Sequence, residues 1–266
     1  VLNTIEDERF FNDLRTEGLS TSTLKHYQNV LRILFKYAET HDLIEKDPMR
    51  KVKPIKAEAK QVDFLTPEQA KVFLAALDNA PLRWRCMMTI LILEGLRRGE
   101  VVGLQWSDID FEKGVIHVRR NRLASKEFGV YEKDPKTKTS KRDIPMPKEL
   151  MKELQEYKKW FEIADPNFNS RLDNYYLAVN IYREPLYPGV VGHWLKEIEK
   201  EHRLKQVTCH GLRHTYCSLL LSQNVPIQTV SKYMGHSDST ITLKVYSHFI
   251  PDTQDIAMDA LSIVMS

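Results

Sequence analysis

Three short stretches near the C-terminal end carry residue types suited to chemistry: "HGLRHT" (210–215), "YMGHSD" (233–238) and "KVYSHF" (244–249). The last sets Tyr246 between a lysine and a histidine. A phenol keeps its proton until a pH of about 10, so Tyr246 acts as a nucleophile only where neighbours supply positive charge and a proton acceptor. His210 and Arg213 are three apart and share a face if the segment is helical. Upstream, "EGLRRGE" (94–100) places Arg97 and Arg98 directly after a glycine turn. Together these residues make a phosphoryl-transfer set. Two guanidiniums clamp the non-bridging oxygens of a pentavalent phosphorus, a histidine takes or returns the nucleophile's proton, and a lysine protonates the departing alkoxide.

Each residue also has a plainer reading. Arg97 and Arg98 read as a surface pair, His236 as a capping histidine, Tyr246 as a packed aromatic. His210 and His214 have the spacing of a zinc-protease helix, but Gly211 stands where that motif needs glutamate. The sequence lacks a tight Asp/Glu cluster of the two-metal kind and a Walker-type glycine loop. No metal and no cofactor is therefore expected; arginine supplies the charge.

The elements that must position these residues are legible in part. Residues 1 to about 18 predict a helix with Ile5, Phe10 and Leu14 on its apolar side and Gly18 as its stop. A second helix follows "STST", with Leu24, Tyr27, Leu31, Leu34 and Ala38 facing inward. "MRKVKPIKAEAKQVD" reads as a basic interdomain linker, giving a helical domain over 1–58 and a second domain over 59–266. In the second, Thr66 caps a helix with Pro67 in its first turn, and "CMMTILILEGL" is apolar nearly all round, marking the central core helix. "GVIHVRRN" and "SKRDIPMP" predict strands, the first preceded by the turn "FEKG", with a charged loop around "KDPKTKTS" between them. Leu212, Tyr216, Leu219 and Leu220 form the buried side of the "HGLRHT" helix. Pro226 starts and Gly235 stops the next, with Ile227 and Val230 inward. The expected fold class is mainly α with a small antiparallel β-sheet.

Composition sets the remaining bounds. The 266 residues are 42% apolar, enough for a real core, and no apolar run is long enough for a membrane span. The acidic N-terminus lacks the apolar stretch of a signal peptide, and the chain opens on Val1, as a fragment of a longer protein would. Three cysteines make neither a disulfide framework nor a zinc site and fit a reducing cytosol. Net charge is only +3, but basic residues cluster: six against two acids over Lys46–Lys60, and nine against three over Arg119–Arg142. Such stretches neutralise phosphates. Lys25, Arg50, Lys51, Lys53, Arg119, Arg120, Arg122 and Lys138 are the candidate DNA contacts.

In order and spacing, "EGLRRGE", "PKTKTSKRDIP", "HGLRHT", "YMGHSDSTIT" and "VYSHF" resemble the tyrosine recombinase family, most nearly integrases of phages and conjugative transposons. "LSTSTLKHYQNVLRILFKYAETHDLIEKDP" resembles that family's core-binding domain. The resemblance implies catalytic roles for Arg97, His210, Arg213 and His236, with Tyr246 the nucleophile and Glu100 a support for the arginines. Lys136 matches the mobile-loop lysine, with Lys138 an alternative in the same loop. It further implies a two-domain C-shaped clamp and a site-specific recombinase working through a 3′-phosphotyrosine and a Holliday junction, without ATP. The implied partners are double-stranded DNA attachment sites, a homotetramer on two sites, and an accessory DNA-bending or excision factor, in the bacterial cytoplasm at the nucleoid and not at a membrane. The apolar tail from Ile250 to Ser266 is expected to dock on a neighbouring protomer. The arm-site-binding domain that many relatives carry before the core-binding domain is not visible. The competing readings are a type IB topoisomerase and a non-catalytic DNA-binding regulator.

Overall fold

The computed structural model describes residues 4–56, 63–133, 141–236 and 238–246. It divides the chain into two compact units, Val1–Gln61 and Val62–Ser266. Lys136, Lys138 and the tail from Ile250 onward lie outside the described residues. What is described is mainly helical, with small antiparallel sheets, and no described helix is long and apolar enough to cross a membrane.

In the first unit, α1 (Thr4–Thr16) and α2 (Thr21–Thr40) are joined through Gly18, at a φ of +87° that glycine adopts without steric cost. The Ser20 hydroxyl caps α2 by accepting the Thr23 N–H at 3.2 Å. Phe11, Leu24, Met49 and Val52 make the core. This departs from the expected facing: Phe10 is 45% exposed, Tyr27 41% and Leu34 55%, whereas Gln28 is buried. The cause is the basic segment after α2, which is not the open linker that its composition suggests. Gln28 donates Nε2–H to the Lys53 carbonyl at 2.9 Å and accepts the Ile55 N–H at 2.8 Å, and Arg32 donates to the Val52 carbonyl at 2.6 Å. A buried amide satisfied at both ends fixes which side of α2 faces inward.

In the second unit, α3 (Pro67–Leu77) opens with a reciprocal capping box between Thr66 and Gln69. Every residue of α4 (Leu82–Glu94) from Cys86 to Ile92 is buried, as all-round apolarity predicts. The four-residue helix α5 (Arg98–Val101) follows. Strands β1 (Ile109–Asp110), β2 (Val115–Val118) and β5 (Arg142–Pro145) form an antiparallel sheet in the order β1-β2-β5. Ile116 pairs with Ile144 and Val118 with Arg142, so strand alternation sends Arg142 to the same buried face as three aliphatic side chains. Between β2 and β5, part of the expected charged loop is a hairpin of β3 (Asn121–Ser125) and β4 (Gly129–Lys133). All of β4 is exposed and β3 half-buried, so no apolar alternation marks them in the sequence. Helices α6 (Lys148–Ala164), α7 (Val190–Glu201), α8 (Cys209–Ser222), α9 (Ile227–Met234) and α10 (Ser239–Tyr246) follow. On α8, Cys217 and Leu221 are buried with Leu212 and Tyr216, while Leu219 and Leu220 are half-buried.

Candidate active site

α4 and α9 both stop at glycines in the left-handed conformation, Gly95 (φ +59°) and Gly235 (φ +62°). A helix that ends this way leaves C-terminal carbonyls in need of donors, and here arginines supply them. Arg213 donates to the Gly95 carbonyl at 2.6 Å and to that of Met234; Arg142 donates to the Tyr233 carbonyl and Arg97 to that of Gly235 at 3.2 Å. Glu100 lies between these guanidiniums. Its carboxylate accepts from the Arg97 N–H and side chain, both at 2.8 Å, and from Arg142 twice, at 3.0 and 2.8 Å. Arg213 is 4.0 Å away. Burial by itself would raise the Glu100 carboxyl, but Arg142, Arg97 and Arg213 outweigh it and hold the group down at about 2. Burial and Arg97 lower the Arg213 guanidinium to about 9, Glu100 opposing, so it stays charged at neutral pH.

α8 begins at Thr208, whose hydroxyl caps it by accepting the Gly211 N–H at 2.9 Å. That cap sets His210 in the first turn and Arg213 one turn later. His210 is exposed, and partial burial together with Arg213 and Arg97 lowers its pKa. His236 follows the α9 stop and is half-buried; burial, Arg213 and Arg97 take it down to about 4. Its Nδ1 lies 2.8 Å from the hydroxyl of Thr242, which donates to Ser231. Nδ1 therefore carries the ring proton and Nε2 the lone pair. Tyr246, the last residue of α10, is 2% exposed and packs with Tyr216, Cys217, Leu221, Val230 and Met234. Its hydroxyl is hydrogen-bonded to Nδ1 of His214, and burial raises the phenol.

A cavity of about 630 Å³ opens beside this network, lined by Arg97, Arg98, His193, Lys196, Thr208 and His210 among others, with no acidic residue on its wall. Arg97 is 39% exposed at its mouth. The cavity is a seat for an anion, with fixed positive charge on one wall and the start of α8 on another.

Of the residues expected from the sequence, Arg97, Glu100, His210, Arg213, His236 and Tyr246 come together. Arg120 and Arg122 do not present open cations: Arg120 is paired with buried Asp108, and Arg122 lies over the Tyr176 ring at 4.6 Å. Arg119 is 47% exposed beside Asp143. In the first unit Lys25 is exposed, and Arg50, Lys51 and Lys53 line a surface groove with Arg32 and Lys36. The sequence reading passed over Arg142, His214 and Thr242. Arg142 had a usable signal: it shares strand parity with Ile144, and an inward arginine requires a buried acid. His214 was weighed only as a metal ligand; its ring instead meets His210 edge-on at 4.4 Å and Tyr246 at 5.3 Å between centroids.

The phage integrase family signature matches residues 63–251. A XerC-like tyrosine recombinase of Caldanaerobacter subterraneus is 28% identical, over 98% of this chain and 71% of its own length. The ICEBs1 integrase of Bacillus subtilis is also 28% identical, over 95% and 68%. The transposase of transposon Tn916 from Enterococcus faecalis is 28% identical over 92%, and the chain spans 63% of that relative's length. Among solved structures, the Tn1549 transposon integrase in complex with a circular intermediate DNA superposes with a TM-score of 0.78 at 26% identity, covering 99% of this chain and 85% of that one.

Proposed function

The chain belongs to the phage integrase family of tyrosine recombinases, enzymes that cut and rejoin DNA in site-specific recombination, and from that premise we propose that Tyr246 is the nucleophile and Arg97, His210, Arg213 and His236 its catalytic partners. What carries the reading is the convergence of α5, α8, α9 and α10 on one arginine–carboxylate network beside a cavity free of acids. The Tyr246 oxygen attacks the scissile phosphorus and the bond to the 5′ oxygen breaks, leaving a 3′-phosphotyrosine. Charge gathers on the non-bridging oxygens, where Arg97 and Arg213 stabilise it; because Glu100 and helix-end carbonyls already orient the guanidiniums, little reorganisation accompanies the reaction. Neutral imidazoles at His210 and His236 accept the phenol's proton, and Lys136, or Lys138 in the same loop, returns one to the departing 5′ oxygen. A 5′-hydroxyl from a partner duplex reverses the step, and two rounds pass through a Holliday junction. The substrates are double-stranded attachment sites at the ends of a mobile element, gripped between the helical unit with its basic groove and the catalytic unit, by four protomers on two sites, with an accessory DNA-bending factor.

The test is covalent trapping. Nicked duplexes that cover DNA flanking the gene are mixed with the protein without added metal and resolved on a denaturing gel. An adduct that disappears in Tyr246→Phe while DNA binding persists supports the assignment; an adduct that survives the substitution removes Tyr246 from the reaction.

A further inference from the structure

The proposed nucleophile is out of reach in this structure. Tyr246 is 2% exposed, whereas Arg97 and His210 face the cavity. Arg213 is turned the same way, 1% exposed with its guanidinium on two backbone carbonyls. A phosphate seated at Arg97 meets neither the phenol nor the second arginine until α10 and the α9 end shift. The one polar side chain printed at hydrogen-bond distance from the Tyr246 oxygen is the His214 imidazole, one residue beyond Arg213.

We propose that His214 is a positioning residue for the nucleophile: its Nδ1 holds the Tyr246 hydroxyl in this retracted place, and binding of DNA must break that hydrogen bond before attack. The inference rests on Tyr246 being the attacking group. The direction of the hydrogen bond follows from the surroundings. Burial, with His210, Arg213 and His236 around it, lowers His214 to about 4, so the ring is neutral near pH 7. Burial raises the phenol, so the proton stays on oxygen. The contact is therefore a hydroxyl donating to a neutral imidazole whose other nitrogen, Nε2, carries the ring proton. A neutral ring beside a phenol that holds its proton strongly is a clamp in this state and not a base. The neighbouring packing of Cys217, Leu221, Val230 and Met234 is apolar and leaves orientation of the hydroxyl to His214.

Nitration by tetranitromethane of the DNA-free protein, followed by mass spectrometry of the peptide carrying Tyr246, tests this without requiring any cleavage activity. A failure here is thus distinct from a failure to form an adduct. In the wild type Tyr246 should label as slowly as Tyr157, 1% exposed, and far more slowly than Tyr182, 75% exposed. His214→Phe keeps the ring but removes the acceptor, and labelling of Tyr246 should rise about five- to tenfold, the ratio expected for one lost hydrogen bond. His214→Asn, whose Oδ1 stands near the place of Nδ1, should restore protection. Wild-type labelling as fast as Tyr182, or a Phe variant as protected as the wild type, overturns the proposal. If Tyr157 loses protection in the Phe variant, the fold has failed, and the ¹⁵N spectrum of wild-type His214 decides: a bare Nδ1 at pH 7 supports the clamp, and a proton on Nδ1 overturns it.

Discussion

Replacing Glu100 by glutamine keeps the side-chain shape but removes the charge that three arginines surround. Holding the carboxyl at about 2 against an ordinary 4.5 corresponds to about 3 kcal/mol in favour of the folded state. Removing one partner of a buried pair, here leaving Arg142 with a side chain 2% exposed, costs roughly 3–5 kcal/mol. The two routes agree on a loss near 3 kcal/mol, a large fraction of a total of about 5–15. Urea unfolding at pH 7 reads it. All four tryptophans, Trp84, Trp106, Trp160 and Trp194, belong to the second unit, so their fluorescence reports the unit that holds Glu100. With a slope of about 2 kcal/mol per molar urea, the midpoint should fall by about 1.5 M. The pH dependence has a definite sign. The folded pKa lies below the unfolded one, so the contribution is complete above about 4.5 and disappears as pH falls towards 2; Glu100→Gln should lack that limb. The double variant Glu100→Gln, Arg142→Met removes both charges and should be more stable than Glu100→Gln alone. A midpoint within 0.5 M (about 1 kcal/mol) of the wild type, or a double variant weaker than the single, refutes the account.

Three other outcomes follow from the same geometry. Glu94 is fully buried with no partner at either carboxyl oxygen, and burial raises its pKa well above the ordinary value. Such a group weakens the fold as pH climbs past about 4.5, so Glu94→Met should stabilise the unit at pH 7 by about 1–3 kcal/mol; a lower urea midpoint would refute this. In Gly95→Ala the added Cβ would lie 2.3 Å from Tyr216 Cδ1, at a φ of +59°. Backbone strain of about 1–2 kcal/mol adds to displacement of the ring, so the urea midpoint and the yield of trapped adduct should fall together, and an unchanged midpoint counts against the contact. His214 and His236 are both held at about 4 against 6.5. The unfolded chain therefore takes up protons first between those values, and stability should drop from pH 6.5 downward, above the Glu100 limb. His236→Asn should recover about 1 kcal/mol of the loss at pH 5; an unchanged slope across that window means His236 is not buried as described.

The sequence alone determined much of the chemistry. Tyr246, His210, Arg213 and Arg97 stand out by residue type and order. Thr66 with Pro67, the apolar run of α4 and the stop at Gly235 are local signals that capping, periodicity and left-handed backbone make readable within a few residues. The tertiary structure decided what depends on distant partners. Glu100 and Arg142 are 42 residues apart and meet because β5 turns Arg142 to the buried face of its sheet. The inward side of α2 is chosen by Gln28 binding the backbone at Lys53 and Ile55, a contact that no helical periodicity encodes. The β3–β4 hairpin is stabilised by backbone pairing with hardly any buried side chains and so left no pattern to find. His214 reads as a surplus histidine until α10 folds back and sets Tyr246 against it, 32 residues along the chain. Local rules fix what each segment prefers; which polar groups must satisfy one another in the interior is settled only when the segments pack, because burial sets the cost of leaving them unpaired.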